Sequence, residues 1–204
     1  MDFSKINDQD QQRRRHNILS AAARLFLEVG FDNASMLQIA QSADVSKQTL
    51  YSHFGSKETL FMEAITSACR SHTPEGLEVI ATMSLEDTLK SIGRHLCELT
   101  FSEDAIRLES ICIAGTNSHP KVSQLYWQAG PAWIKNFLVQ CIQTQIDNGQ
   151  LATSNAELAA KQFAALLCHD KKHKLLLGIE KVDNEEIGEI VDQAVSFFMR
   201  AMER

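Results

Sequence analysis

The chain's 204 residues suffice for one small head and one larger helical body, each able to bury a core, and three Pro and nine Gly leave few breaks. No run of about eighteen apolar residues occurs, and the start Met1-Asp2-Phe3-Ser4-Lys5 is polar without a signal-peptide core, so neither a membrane span nor export is expected and the protein reads as cytoplasmic. Net charge is −6, which argues at first sight against a polyanionic partner, but residues 1–57 hold seven Lys and Arg against six Asp and Glu, a balance of +1 that leaves −7 on the remainder.

Apolar residues recur at helical spacing from the first element onward, as in Ile18, Ala22, Leu25, Phe26 and Val29, and no long alternating β-branched stretch argues for a sheet. The chain reads as all-α. Ser35 can N-cap a short helix, with Gln38 closing a capping box, and Ile39 and Ala40 face inward. After a break at Ala43-Asp44-Val45, Ser46 caps a second short helix anchored by Leu50 and Phe54, four residues apart on one face. Lys47, Gln48, Thr49, Tyr51, Ser52 and His53 are left on its other faces. Such a donor-rich polar surface suits a groove lined with acceptors and phosphates. Two short helices, a tight turn and the start of a third form a helix-turn-helix pattern, which makes double-stranded DNA the first partner to consider. Solvated polar faces on short helices are common in proteins that bind no nucleic acid, so the pattern alone leaves both readings open.

Gly30-Phe31, Ser35, Ile39-Ala40, Ala43, Val45-Ser46, Thr49-Leu50-Tyr51, His53-Phe54 and Ser56-Lys57-Glu58 together resemble the N-terminal signature of the tetracycline-repressor (TetR) family, nearly without gaps from about Ile18 to Ala64. The resemblance implies an N-terminal three-helix DNA-binding domain over 1–57 and an effector-binding and dimerisation domain over 58–204. It implies that Ser35 meets a phosphate from a helix N-terminus and that Lys47, Gln48 and Thr49 lead the recognition helix, suited respectively to guanine, adenine and a thymine methyl or phosphate. Ser52 shares that helix's polar face, and Tyr51, His53 and Lys57 match positions that grip the DNA backbone. Arg14, within Arg13-Arg14-Arg15, falls where the family's first helix lies against the duplex. Leu37 occupies a place where some members carry a polar base-reading residue, and direct readout from the first short helix is therefore not expected.

Beyond Lys57, a helix is expected over 56–71, a break at Thr73-Pro74-Glu75-Gly76, and further helices near 85–101, 103–116, 121–148, 155–174 and 184–203, about nine in all. Ser154 with Glu157 and Asp183 with Glu186 read as capped starts, and Asn148-Gly149 as a left-handed helix end. Gln128-Ala129-Gly130-Pro131 falls inside the long helix as a kink. The last helix carries an apolar stripe of Ile187, Ile190, Val191, Ala194, Phe198, Ala201 and Met202, and the one before it Leu158, Ala159, Phe163, Leu166 and Leu167. Either could close a core. The resemblance implies instead a homodimer through these last two helices, and a pseudo-palindromic operator follows from two-fold symmetry. The family's ligand cavity would draw on Phe101, Ile111, Cys112, Tyr126, Trp127, Trp133, Phe137 and Phe163, an apolar lining with Trp and Tyr donors that suits a hydrophobic or aromatic effector. Residues 107–167 also resemble the effector domain of regulators of efflux and solvent tolerance.

Other chemistries find less support. Cys168, His169, Asp170 and His173 cluster at helical spacing, but without Cys-x-x-Cys, and beside Lys171, Lys172 and Lys174, they read as a polar helix end rather than a metal site. Cys69, Cys97, Cys112, Cys141 and Cys168 are scattered, as reduced thiols used as apolar filler are. No repeated Glu-x-x-His pair, Gly-rich phosphate loop or Gly-x-Ser-x-Gly elbow occurs, so no catalytic residue and no cofactor is expected. The reading is a ligand-responsive DNA-binding regulator, a repressor before an activator. A helical adaptor that binds only proteins is the remaining alternative.

Overall fold

The computed structural model describes residues 3–71, 83–117, 119–168 and 170–202. The expected break at Thr73-Pro74-Glu75-Gly76 lies outside the described residues. Among the described residues the chain is helical, with no strand: α1 Phe3–Asn33, α2 Met36–Ser42, α3 Lys47–Phe54, α4 Lys57–Ser71, α5 Leu85–Thr100, α6 Glu103–Ala114, α7 Pro120–Ala129, α8 Pro131–Asp147, α9 Ala156–Cys168, α10 Lys171–Leu176 and α11 Asn184–Met202. The helix expected over 121–148 is two helices. Gly130, at φ −109° and ψ −86°, leaves the helical region, and Pro131, which has no N–H to donate, opens α8.

The residues form two compact units, Met1–Ala68 with Leu108–Gly130, and Cys69–Arg107 with Pro131–Arg204. In the first, Ile18, Phe26, Ile39, Leu50, Leu60 and Phe61 are buried at 2% exposure or less. Phe26, Phe31 and Phe61 form a ring cluster with centroids 5.0–5.8 Å apart. Gly30, at φ 78° and ψ 170°, breaks the end of α1, a backbone state that an L side chain rarely adopts.

In the second unit the apolar stripes of α5, α8, α9 and α11 converge on one core that includes Leu89, Ile92, Leu138, Ile142, Phe163 and Phe198. The Phe163 and Phe198 rings lie 5.0 Å apart. Gly93 lets α5 approach its neighbours closely, since a Cβ there would stand 3.2 Å from both Leu167 Cδ2 and Val191 Cγ1. The stripes anticipated as a dimer face are therefore largely intrachain core. Among the described residues the large apolar side chains that these two helices leave exposed are Leu158 and Phe197, 51% and 55% exposed. Asp183 caps α11 by accepting from the Glu186 amide, and Gly149 closes α8 at φ 73°. At the start of α9 the capping oxygen belongs to Asn155, which accepts from the Leu158 amide at 2.9 Å, and not to Ser154.

Candidate nucleic-acid interface

Local hydrogen bonding fixes the two short helices. The Ser35 hydroxyl accepts from the Gln38 amide at 3.1 Å, and the Gln38 carboxamide oxygen accepts from the Ser35 amide at 3.0 Å, a complete capping box at the start of α2. Met36, Ile39 and Ala40 are buried beneath it. The turn uses Asp44 at φ 53°, a left-handed state that Asp tolerates better than most residues, and the Val45 amide donates to the Ala40 carbonyl at 2.9 Å. Ser46 then accepts from the Thr49 amide at 3.0 Å and starts α3.

Leu50 and Phe54 of α3 are 0% and 4% exposed, so the helix is held by one narrow apolar edge. Lys47, Gln48, Tyr51, Ser52 and His53 are exposed, and Thr49 is half-buried. Lys47 Nζ stands 5.8 Å from the Tyr51 ring centroid, which keeps cation and aromatic on one face. The Ser52 hydroxyl donates to the Thr49 carbonyl at 2.8 Å, and the hydroxyls of Ser46 and Thr49 are 2.8 Å apart. The surface thus offers one ammonium, one carboxamide, a phenol and an imidazole along about two turns, a set that can reach base edges and phosphates together.

The basic residues of the head fall into two groups. Arg13, Arg14 and Lys47 are exposed. Arg15 pairs with Glu63 and covers the Phe54 ring at 4.9 Å, while Arg24 donates to the Ser42 hydroxyl at 2.7 Å. Lys57 also turns inward. Its ammonium donates to the carbonyls of Phe31 at 2.7 Å, Ala34 at 3.0 Å and Asp32 at 3.3 Å, and sits 4.4 Å over the Phe31 ring. These carbonyls lie where α1 ends and lack helical partners, so Lys57 caps α1 from the first residue of α4.

Segment 108–130 is tied to the same unit. His119 Nε2 lies 3.2 Å from Asp32 and Lys121 Nζ 3.4 Å from Glu58, beside the two ends that Lys57 joins. A hydrogen bond from its own backbone amide, reinforced by Lys121, holds the Glu58 carboxyl below the usual carboxylate range. Thr66 donates to the Ala129 carbonyl at 3.3 Å.

The residues expected to line an effector cavity are divided. Ile111, Cys112, Tyr126 and Trp127 belong to the first unit, where the Tyr126 hydroxyl donates to Glu109 at 3.1 Å and Trp127 is 59% exposed. Phe101, Trp133, Phe137 and Phe163 belong to the second; Phe101 and Phe163 are core, and Trp133 stacks on Phe137 at 5.9 Å. Sequence reasoning passed over Gln145, which continues the buried stripe Leu138, Cys141 and Ile142 of α8. It is 1% exposed, and neither its amide nitrogen nor its oxygen has a hydrogen-bond partner among the described residues. A polar residue one turn beyond Ile142 on an apolar stripe was the available signal.

Of the cluster around Cys168, His169 lies outside the described residues, and Asp170 pairs with Lys174 at 3.0 Å. Among the described residues no three His, Cys, Asp or Glu side chains converge to hold a metal ion. Lys171, 4% exposed, pairs with Glu180 at 3.0 Å and Glu186 at 2.6 Å; burial opposes its charge, but the two carboxylates outweigh that and hold its pKa above the usual lysine range. Burial pushes the thiols of Cys69 and Cys112 up to about 11 and those of Cys97 and Cys141 up to about 12. These four are protonated filler at neutral pH.

Residues 18–64 match the family model of bacterial regulatory proteins, tetR family, and residues 87–203 match that of the AefR-like transcriptional repressor, C-terminal domain. The transcriptional regulator UidR of Escherichia coli (strain K12) is 46% identical over 128 residues, covering 58% of this chain and 65% of its own length. AcrR of Shigella flexneri is 35% identical over 109 residues, covering 52% of this chain and 50% of its own. The chain therefore spans less than two thirds of these curated relatives. Among solved structures, the flavonoid-responsive regulator FrrA is 28% identical with a TM-score of 0.71, covering 94% of this chain and 98% of its own. A tetR-family regulator from Mesorhizobium loti is 25% identical with a TM-score of 0.75, covering 95% and 98%.

Proposed function

The chain belongs to the tetR family of bacterial regulatory proteins, and we propose that it is a ligand-responsive transcriptional repressor that binds a pseudo-palindromic operator as a homodimer. The observation that carries this reading is α3: Leu50 and Phe54 bury one edge, and the exposed Lys47, Gln48, Tyr51, Ser52 and His53 occupy the rest. Docked in the major groove, Lys47 donates to guanine O6 and N7, Gln48 pairs with adenine, and Thr49 meets a thymine methyl or a phosphate. Tyr51, Ser52, His53, Ser35 and Arg14 serve the backbone. Lys57, with three carbonyls already on its ammonium, contributes by holding α1 against α4 rather than by meeting a phosphate.

One eight-residue helix reads too few base pairs for useful specificity, so two-fold symmetry doubles the site, with half-sites about one helical turn apart. The exposed Leu158 of α9 and Phe197 of α11 support pairing through these helices. The effector is a small hydrophobic or aromatic compound, a reading supported by the Trp133 and Phe137 stack and by the flavonoid response for which FrrA is named. It releases DNA by preferring a state in which α4 carries the two heads out of register with successive major grooves, a shift limited by its differential affinity for the two states. Among the described residues no helix is long and apolar enough to cross a membrane; action in the cytoplasm follows from the proposed DNA operator as partner. The proposed role is regulatory and involves no catalytic step.

Footprinting on the DNA upstream of the protein's own gene, and selection from a pool of random duplexes, test the reading. A protected or enriched palindrome supports it. Failure of both to yield any sequence preference contradicts it and moves the adaptor reading forward.

A further inference from the structure

Arg13 and Arg14 are exposed, whereas Arg15, next in the same run, is half-buried and turned toward the rest of the head. Its guanidinium pairs with Glu63 of α4 and lies 4.9 Å from the centroid of the Phe54 ring at the end of α3. A planar guanidinium can stack on a ring and bind a carboxylate at once, so one side chain of α1 holds both α3 and α4. Leu50 and Phe54 are the buried side chains of α3, and eight residues do not sustain a helix alone, so the setting of α3 depends on what these two touch. The Ser46 cap fixes the start of the helix. At its far end Gly55, at φ 70°, turns the chain toward α4, and the covered Phe54 ring is what restrains the tilt there. Lys47 lies about 10 Å along the helix from Phe54, so a tilt of about 10° moves it by about 2 Å, more than a hydrogen bond to a base edge tolerates.

We propose that Arg15 is a positioning residue for DNA reading: bridging Glu63 and Phe54, it sets the angle at which α3 presents Lys47, Gln48 and Tyr51 to the major groove, and it does not itself meet a phosphate. The inference rests on the DNA-reading function proposed above and separates Arg15 from its neighbour Arg14. Because Glu63 belongs to α4, a movement of α4 reaches α3 through the same guanidinium. A misaligned α3 loses base contacts, each of which discriminates against the wrong base by about fivefold or more, while binding that needs only charge survives.

The test uses the full chain, an operator selected by wild type from a random pool, and a scrambled duplex of the same composition. Arg15→Ala should lose at least about fivefold of its operator preference per half-site and keep the wild-type salt slope on the scrambled duplex. Arg15→Lys should behave likewise, because an ammonium satisfies a phosphate but cannot present one plane to Phe54 and its edge to Glu63 together. Glu63→Gln should weaken the preference by itself and add nothing to Arg15→Ala. Circular dichroism at the assay temperature establishes that each variant is folded; if Arg15→Ala is not, Arg15→Lys and Glu63→Gln decide. An unchanged preference in folded variants, even with a lower melting temperature, would overturn the positioning role, since packing alone moves only stability. A slope on the scrambled duplex smaller by about 0.9 per subunit in Arg15→Ala and restored in Arg15→Lys would overturn it in favour of a phosphate contact. Selection of no sequence by wild type would overturn the DNA-reading function itself, and this role with it.

Discussion

Replacing Lys57 by Met keeps the aliphatic stem and removes the ammonium, and with it three hydrogen bonds and a cation over the Phe31 ring. A hydrogen bond to a charged group contributes about 1.5–3 kcal/mol, but one of the three carbonyls is exposed and the other two are only part-buried, so all regain water and together they amount to about 2–3 kcal/mol. The ring contact adds about 0.5–1 kcal/mol. A loss near 3 kcal/mol lowers the unfolding midpoint by roughly 6–12 °C in a chain of this size. The assay is thermal unfolding beside operator affinity measured across a range of salt. Each phosphate contact contributes about 0.9 to the slope of log affinity against log salt. Lys57→Met should therefore melt early and keep the wild-type slope. An unchanged melting temperature with a slope smaller by about 1 per subunit would refute the internal role and return Lys57 to the DNA backbone.

Gln145→Met removes two unpartnered polar atoms from a buried site and should raise stability by about 1–2 kcal/mol, read as an increase in melting temperature. A decrease would mean that the amide has a partner. Gly93→Ala gains about 1 kcal/mol of helix propensity but presses a methyl against Leu167 and Val191, which are 1% and 2% exposed; crowding of about 1–3 kcal/mol should make the variant less stable in chemical denaturation. Native protein treated with iodoacetamide near neutral pH should leave Cys69, Cys97, Cys112 and Cys141 unmodified until it unfolds, because burial keeps their thiols protonated. Peptide mapping by mass spectrometry reads this directly.

Features encoded within three or four residues are legible in the sequence itself. The Ser35–Gln38 box, the Ser46 cap, the burial of Leu50 and Phe54 and the Asp183 cap all depend on neighbours along the same helix. Destinations across the chain are not legible in this way. Arg13-Arg14-Arg15 reads as one basic run, yet Arg15 pairs with Glu63, which the local sequence does not specify. The carbonyls that occupy Lys57 lie more than twenty residues before it, and backbone groups leave no composition signal. The α11 stripe announces burial without saying whether its own chain or a second copy covers it, and most of it is covered by α5 and α9. The association of 108–130 with the head depends on contacts such as His119 with Asp32, between residues ordinary on any surface. The division of the long helix is the opposite case, since Gly130-Pro131 carries its own cause.

The most direct test of the central claim is the affinity of wild type and a Lys47→Ala, Tyr51→Ala double variant for the selected operator and for a scrambled duplex of the same composition. Both substituted residues are exposed, so the fold should be unaffected. The prediction is that wild type prefers its operator by at least about a thousandfold and that the double variant loses most of this preference while retaining residual salt-dependent binding to any duplex. An unchanged preference in the double variant would show that α3 does not read DNA.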